Sequence, residues 1–196
     1  MRIQDRPGLC AAVGAQRIFD GGSSRELRAG VAAERLPLNR FDVIIVGAGI
    51  AGLYAAMQLP ESMKVLVVCK DIPWECNTFY AQGGIVTALD EEDVRAHIDD
   101  TLAAGAYHNV REAVEIMSRE SVGLREDLLA RGMEFDRDEA GRLLYTKEAA
   151  HSASRILHAG GDATGRYMHY FMMTRNPHLL QRNTLVYDLL IENGRC

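Results

Sequence analysis

Asp42-Val43-Ile44-Ile45-Val46-Gly47-Ala48-Gly49-Ile50-Ala51-Gly52 is the stretch that decides the fold. Its first half is a short, apolar, β-branched run that stops at glycine, the pattern of a strand buried in a parallel sheet. Its second half is G-x-G-x-x-G, and Ile50 to Leu59 continues as a helix. Lys64-Val65-Leu66-Val67-Val68-Cys69 then reads as a second buried strand. Strand, short helix and strand within about thirty residues make a βαβ unit, which closes right-handed. Gly47 permits the tight turn, Gly49 lets the backbone approach a pyrophosphate, and Gly52 lets helix and strand pack closely. A helix N-terminus adds N–H donors and a partial positive charge. The spacing predicts a dinucleotide site at Gly47, Ala48, Gly49, Ile50, Ala51 and Gly52.

The residues after the second strand bear on which dinucleotide this is. A plain NAD fold places an acid at the end of that strand to accept from the ribose hydroxyls. Here Cys69 stands about there, with Lys70 next and Asp71 two residues late, which weakens the NAD reading. Asn77-Thr78-Phe79-Tyr80-Ala81-Gln82-Gly83-Gly84 mixes side-chain donors with two glycines. An ordinary surface loop is the plain reading of that octet. Its position soon after a dinucleotide strand favours a loop that wraps the rest of a cofactor.

Composition bounds the remaining possibilities. The chain has 196 residues, near the upper edge of one ordinary domain. Twenty-two Lys and Arg against 27 Asp and Glu give a net charge of −5, which argues against a nucleic-acid or anionic-membrane surface. Cys10, Cys69, Cys76 and Cys196 show no C-x-x-C spacing, and the histidines form no H-E-x-x-H, so no metal site is predicted. Free thiols in a reducing, cytoplasmic setting are the expectation. Val43 to Pro60 carries no charge, yet its three glycines and its β-branched start read as strand, turn and helix rather than a membrane span.

Outside that unit the pattern is coarser. Residues 1–40 carry seven Arg, four acids and no Lys, with no long apolar core, and are expected to be a disordered leader ahead of a folded part at 41–196. Asp93 to Ala104 reads as a helix. Asn109 and Glu112 form a candidate capping box for a longer one, with Val110, Val114, Met117, Leu124 and Leu128 on its apolar stripe and Gly132 as its stop. A small hairpin is expected around Asp138–Gly141, a strand at Arg155–Ala159 and a helix over Asp162–Arg175. Thr184 to Glu192 alternates like a strand and runs into Asn193-Gly194, a strong hairpin signal. With two residues left for the returning arm, the expectation is an N-terminal part of a longer protein.

The run from Asn77 to Ile85 resembles the flavin loop of the succinate dehydrogenase/fumarate reductase flavoprotein family. Three further stretches narrow the resemblance to the L-aspartate oxidases within it: Asp99 to Gly105, Lys147 to Ser152, and Arg155 to Arg166. The resemblance covers roughly Phe41 to Cys196. It implies an α/β fold, a Rossmann-like FAD-binding domain of which this chain holds the first segment, with the capping domain absent. It implies FAD rather than NAD, with the glycine turn on the pyrophosphate, Lys70 by the adenosine ribose, the Asn77–Gly84 loop along the flavin, and Leu185 where the backbone nears the adenine. Family members end the second strand Ser-Lys, so Cys69-Lys70 is a mild departure. It also implies that Glu148 faces the substrate amino group, where succinate and fumarate enzymes carry glutamine. His151 and Arg155 flank that segment, and a structural role for both is at least as plausible as a pocket role.

The activity so implied is oxidation of L-aspartate to iminoaspartate, with oxygen or fumarate as electron acceptor and quinolinate synthase as the pathway partner in NAD biosynthesis. A fumarate or succinate oxidoreductase is the alternative, as is a truncated nucleotide-binding product without catalysis. Alone, the chain is expected to be inactive. Asn77 separates the readings further. Membrane-complex relatives place there a histidine that bonds covalently to the flavin, aspartate oxidases typically a serine, and an asparagine amide cannot form the link. Acid precipitation of the holoprotein is therefore expected to leave the yellow colour in the supernatant, and a yellow pellet would refute non-covalent binding.

Overall fold

The computed structural model describes residues 10–12, 39–191 and Asn193. Most of the expected leader and Gly194 to Cys196 lie outside the described residues. The chain divides into two compact units, Met1–Cys76 with Met172–Cys196, and Asn77–Phe171.

The first unit is built on the predicted βαβ element. Strand β1 (Cys10–Ala12) pairs antiparallel with β2 (Asn39–Phe41). Strand β3 (Val43–Val46) feeds helix α1 (Ile50–Met57), which returns to β4 (Val65–Val68). β3 and β4 pair in parallel, with Val43 opposite Val65 and Val46 opposite Val68. A third strand, β8 (Leu179–Gln181), lies parallel on the other side of β4, giving the order β3-β4-β8. β4 is central and buried at all four positions. β3 is only half-buried and its last residue, Val46, is 61% exposed, so the expected two-sided burial holds for β4 and not for β3. The difference stems from the strand order: β3 lies at the sheet edge among the described residues. Leu53, Ala56 and Met57 of α1 are buried, and Phe41, Leu66 and Val68 form a core cluster with Ile44 and Val186 against it.

The alternating segment 184–191 does not form the predicted strand. Its Leu185, Tyr187, Leu189, Leu190 and Ile191 are 59–67% exposed. The edge of β4 is already taken by β8, and the chain leaves it at once: Cys69 N–H donates to Gln181 O, Asn183 N–H to Asp71 O and Thr184 N–H to Cys69 O. Alternation specifies a strand only where a ladder and a buried face are available.

The second unit opens with a one-turn helix, α2 (Asn77–Tyr80), within what the sequence suggests is loop throughout. Beyond it lies a small antiparallel sheet, with β5 (Ile85–Val86) and β6 (Tyr145–Thr146) on either side of β7 (Ile156–Leu157). Helix α3 (Glu91–Ala104) is capped by Asp90, whose side chain accepts the Glu92 and Asp93 N–H groups. It packs on helix α4 (Arg111–Ala130) through Val94, Ile98, Leu102 and Val114. The capping box at Asn109 is not formed. Val110 is the N-cap of α4, and the Asn109 side chain folds back over Gly105, where a Cβ would stand 2.0 Å from its Oδ1. The apolar stripe shifts as well. Val110 and Met117 are exposed, while Ser118 and Ser121 are buried. Ser121 is drawn inward by the backbone at 88–89, whose polar groups need partners: Ala88 N–H donates to Ser121 Oγ, and Arg125 donates to the Ala88 and Leu89 carbonyls. Helix α5 (Thr164–Arg175) buries Met168, His169 and Met172.

A fully buried guanidinium ties this unit together. Arg155, just before β7, donates from Nε and Nη2 to the two carboxylate oxygens of Asp93 (3.0 and 2.6 Å) and from Nη1 to Asp100. Ser152 N–H and Oγ donate to the same Asp100 oxygen (2.7 and 2.8 Å). Burial raises the Asp93 and Asp100 carboxyls, but it is outweighed. Arg155 and the Leu89 N–H hold Asp93 below the usual carboxylate range, and Ser152 with Arg155 holds Asp100 at about 2. An acid held below its unfolded value adds stability above that value and loses it as the pH falls through the folded one. The clamp is therefore expected to weaken from pH 3.8 toward about 2. Arg155→Leu leaves two part-buried carboxylates without their partner and is expected to cost about 1–3 kcal/mol at neutral pH. Its two acids then titrate upward, so the deficit shrinks as the pH is lowered toward 4, which urea titrations of the full-length protein at several pH values would check.

Candidate functional site

In the first unit the six residues of the glycine motif form one strand–helix turn. Gly47 N–H donates to Val68 O at 2.8 Å, and φ of +112° places Gly47 where only glycine sits without strain. A Cβ on Gly52 would stand 2.0 Å from the Gly47 carbonyl oxygen and 3.2 Å from Ile45 Cγ2, so helix and strand are as close as the motif predicts. Gly49 is the N-cap of α1 in extended conformation. Its N-cap glycine brings no side chain to the helix end, and its first turn holds no acid. α3 is the contrast: Asp90 covers its N-terminus, and Glu91, Glu92 and Asp93 fill its first turn. Ala48 is buried, and Ile50 and Ala51 are exposed at the head of α1. Lys70 is exposed just past the end of β4. Leu185 is exposed too, on irregular backbone beside Thr184, whose N–H reaches Cys69 O. Burial, then the nearby Asp71 and Cys76, pushes the Cys69 thiol up, and the thiol donates to Asp71 O at 3.0 Å.

In the second unit the octet is held from behind by α5. The Phe79 ring meets Tyr80, His169 and Tyr170 edge-on, with centroids 5.5, 5.8 and 5.7 Å away, and the Arg166 guanidinium lies 5.5 Å from it. Gly165 N–H donates to Ala81 O, and a Cβ there would stand 2.0 Å from Thr78 O. The two glycines of the octet differ. A Cβ on Gly84 would meet Ile156 Cγ2 at 2.3 Å and Leu157 O at 2.6 Å, whereas one on Gly83 meets nothing within 4 Å. Gly84 packs the loop on β7, while Gly83 and Gln82 look into a cavity of about 510 Å³. Asn77, Tyr80 and Ala81 are all exposed at the surface of the unit.

Glu148 lines the same cavity, with Thr146 and His158. Glu148 Oε1 lies 3.6 Å from His158 Nε2, which is 2.9 Å from Thr146 Oγ1. The Lys147 ammonium donates to Ser152 O at 3.1 Å. His151 N–H donates to Glu148 O at 3.3 Å, closing a turn in which Ala150 has φ +67°. Asp136 and Asp162 also line the cavity, and the Asp136 carboxylate accepts the Gly160 and Gly161 N–H groups at 2.9 Å each. Sequence reasoning brings Glu148 and the octet forward but misses Thr146, His158, Asp136 and Asp162. The one signal for them is position, since Thr146 ends β6 and His158 comes directly after β7.

The acid-free head of α1 suits a pyrophosphate, and the space beside Gly83 is open. Residues 42–196 match the family model described as FAD binding domain. The chain belongs to that family. Among its relatives, the L-aspartate oxidase of Clostridium acetobutylicum is 43% identical over 159 residues, covering 79% of this chain and 36% of the relative. That of Bacillus subtilis is 40% identical over 162 residues, covering 81% and 30%. The FrdA chain of E. coli quinol fumarate reductase superposes with a TM-score of 0.71 at 25% identity, covering 79% of this chain and 28% of that one. This FAD-binding chain thus spans about a third of the length of the curated relatives it matches. No helix among the described residues is long and apolar enough to cross a membrane.

The glycine geometry makes separable predictions for a protein of this family. Gly52→Ala forces the turn against the Gly47 carbonyl and is expected to abolish FAD retention on gel filtration. Gly84→Ala drives a methyl into β7 and is expected to cost about 1–3 kcal/mol in thermal or urea unfolding. Gly83→Ala, with open space around it, is expected to leave stability unchanged.

Proposed function

We propose that this chain supplies the FAD-binding, amine-recognising part of an L-aspartate oxidase, working in the cytoplasm within a longer polypeptide. The observation that carries the reading is Glu148, a carboxylate on the wall of the cavity that Gln82 and Gly83 of the flavin loop also line. The similarity to the Clostridium and Bacillus oxidases supports it.

In this reading the backbone from Gly47 to Gly52 holds the pyrophosphate and Lys70 the adenosine ribose, with Leu185 by the adenine. Asn77, Thr78, Phe79, Tyr80, Ala81, Gln82, Gly83 and Gly84 form the loop for the flavin, held non-covalently. The chemistry that FAD supplies when bound is acceptance of a hydride from the α-carbon of L-aspartate, which leaves iminoaspartate. The protein's part is binding and orientation. The Glu148 carboxylate takes the substrate ammonium, because an ammonium leaving water needs a charge-assisted partner. The same carboxylate repels a dicarboxylate that lacks the ammonium, which disfavours succinate. Oxygen or fumarate serves as terminal acceptor, and quinolinate synthase consumes the product.

Glu148→Gln in the full-length protein tests the assignment. A hydrogen bond to a charged group is worth about 1.5–3 kcal/mol, so kcat/KM for L-aspartate is expected to fall roughly 10- to 100-fold. Fumarate reduction is expected to change little. Equal loss of both activities would overturn the role.

A further inference from the structure

We propose that His158 is the positioning residue that aims Glu148 at an ammonium-bearing substrate. The inference rests on the amine-recognition reading and adds a residue to it.

Glu148 is poorly fixed by itself. Its side chain is 55% exposed and it sits on an irregular turn. A half-exposed glutamate with several rotamers binds an ammonium weakly, because ordering the side chain opposes the contact. His158 is the opposite case. Its side chain is 19% exposed and its backbone is pinned, with His158 O accepting the Asp136 N–H at 2.8 Å. A Cβ on Gly84 would stand 3.1 Å from its Cε1, so the ring packs directly on the flavin loop. Thr146 Oγ1 at 2.9 Å from Nε2 fixes the ring plane.

The ring nitrogen nearest the carboxylate also has a defined role. An anion facing Nε2 selects the tautomer that carries the proton there, since a bare nitrogen would set its lone pair against the charge. Nε2–H then donates to Thr146 Oγ1 and presents its positive end to Glu148 Oε1. At 3.6 Å that approach is an electrostatic contact longer than a hydrogen bond. It biases the carboxylate toward the cavity and leaves its lone pairs for the substrate. The other acids of the cavity wall are Asp136 and Asp162. Asp136 is held by two backbone N–H groups, so Glu148 is the carboxylate that His158 orients.

The test compares His158→Phe, which keeps a ring and removes the donor, with His158→Gln, which keeps an N–H donor, in the full-length flavin-loaded protein. The readouts are KM and kcat for L-aspartate oxidation and for fumarate reduction. His158→Phe is expected to raise KM for L-aspartate about tenfold with kcat within about threefold, while KM for fumarate stays within about twofold. His158→Gln is expected to recover most of that loss. Should His158→Phe fail to retain flavin, Thr146→Val, which unpins the ring, is expected to raise KM for L-aspartate alone by about threefold. An unchanged KM for L-aspartate, an equal rise for both substrates, or a glutamine variant no better than phenylalanine would overturn the proposal. A wild-type protein that does not oxidise L-aspartate would instead refute the amine-recognition reading, before any variant is made.

Discussion

A guanidinium sealed from water sets the terms for the second unit. Arg155 could not be buried alone, because desolvating a lone charge costs several kcal/mol. Asp93 receives it bidentately, and Asp100 receives its remaining arm. The two acids are seven residues apart on α3 and so lie on one helix face, with His97 between them. His97 is itself buried, and burial, Arg155 and His151 push its pKa down, which keeps the imidazole neutral inside a cluster already carrying three charges. Asp100 also grips Ser152 through two hydrogen bonds. The turn that carries Glu148 is thereby anchored at its C-terminal end to a rigid helix. For the amine-binding role proposed for Glu148, the backbone beneath an exposed carboxylate must stay still.

Support for that turn comes from both sides. Behind it stands the Arg155 clamp, and in front of it His158 meets Glu148. The octet is treated the same way. Phe79 inserts among rings of α5, Gly165 and Gly84 permit close backbone packing, and Gln82 and Gly83 are left toward the cavity. In each case closely packed residues behind the wall do the holding, and polar side chains face the cavity.

What the sequence made legible was local. The strand, the glycine turn and α1 occupy fifteen consecutive positions, and each glycine acts on neighbours within that span, so one reading settles all of it. Arg155 was not legible as a clamp because its partners lie 55 and 62 positions away and nothing local marks them. His158 was hidden for a similar reason, since Thr146 is twelve positions off. β8 escaped because three residues carry too little pattern, whereas the nearby alternating stretch has pattern but no ladder to join. The helix α4 was found while its buried stripe was not. Apolar periodicity locates a face, but the unpaired backbone at Ala88 and Leu89 drew Ser121 and Arg125 onto it instead.

The charge of the cavity wall limits how a substrate can enter. Its ionisable residues are Asp136, Glu148, His158 and Asp162, with no lysine or arginine among the lining residues. Asp136 has its charge met by two glycine amides, and Glu148 Oε1 lies 3.6 Å from the His158 ring. Such a wall attracts a cation and repels a carboxylate. On the reading proposed above, an amino dicarboxylate approaches it by its ammonium, which turns that end of the molecule toward Glu148. Its two carboxylates must then be met by cations that this wall does not provide. On the amine-recognition reading, this wall meets the ammonium alone, and a dicarboxylate without one is disfavoured by it.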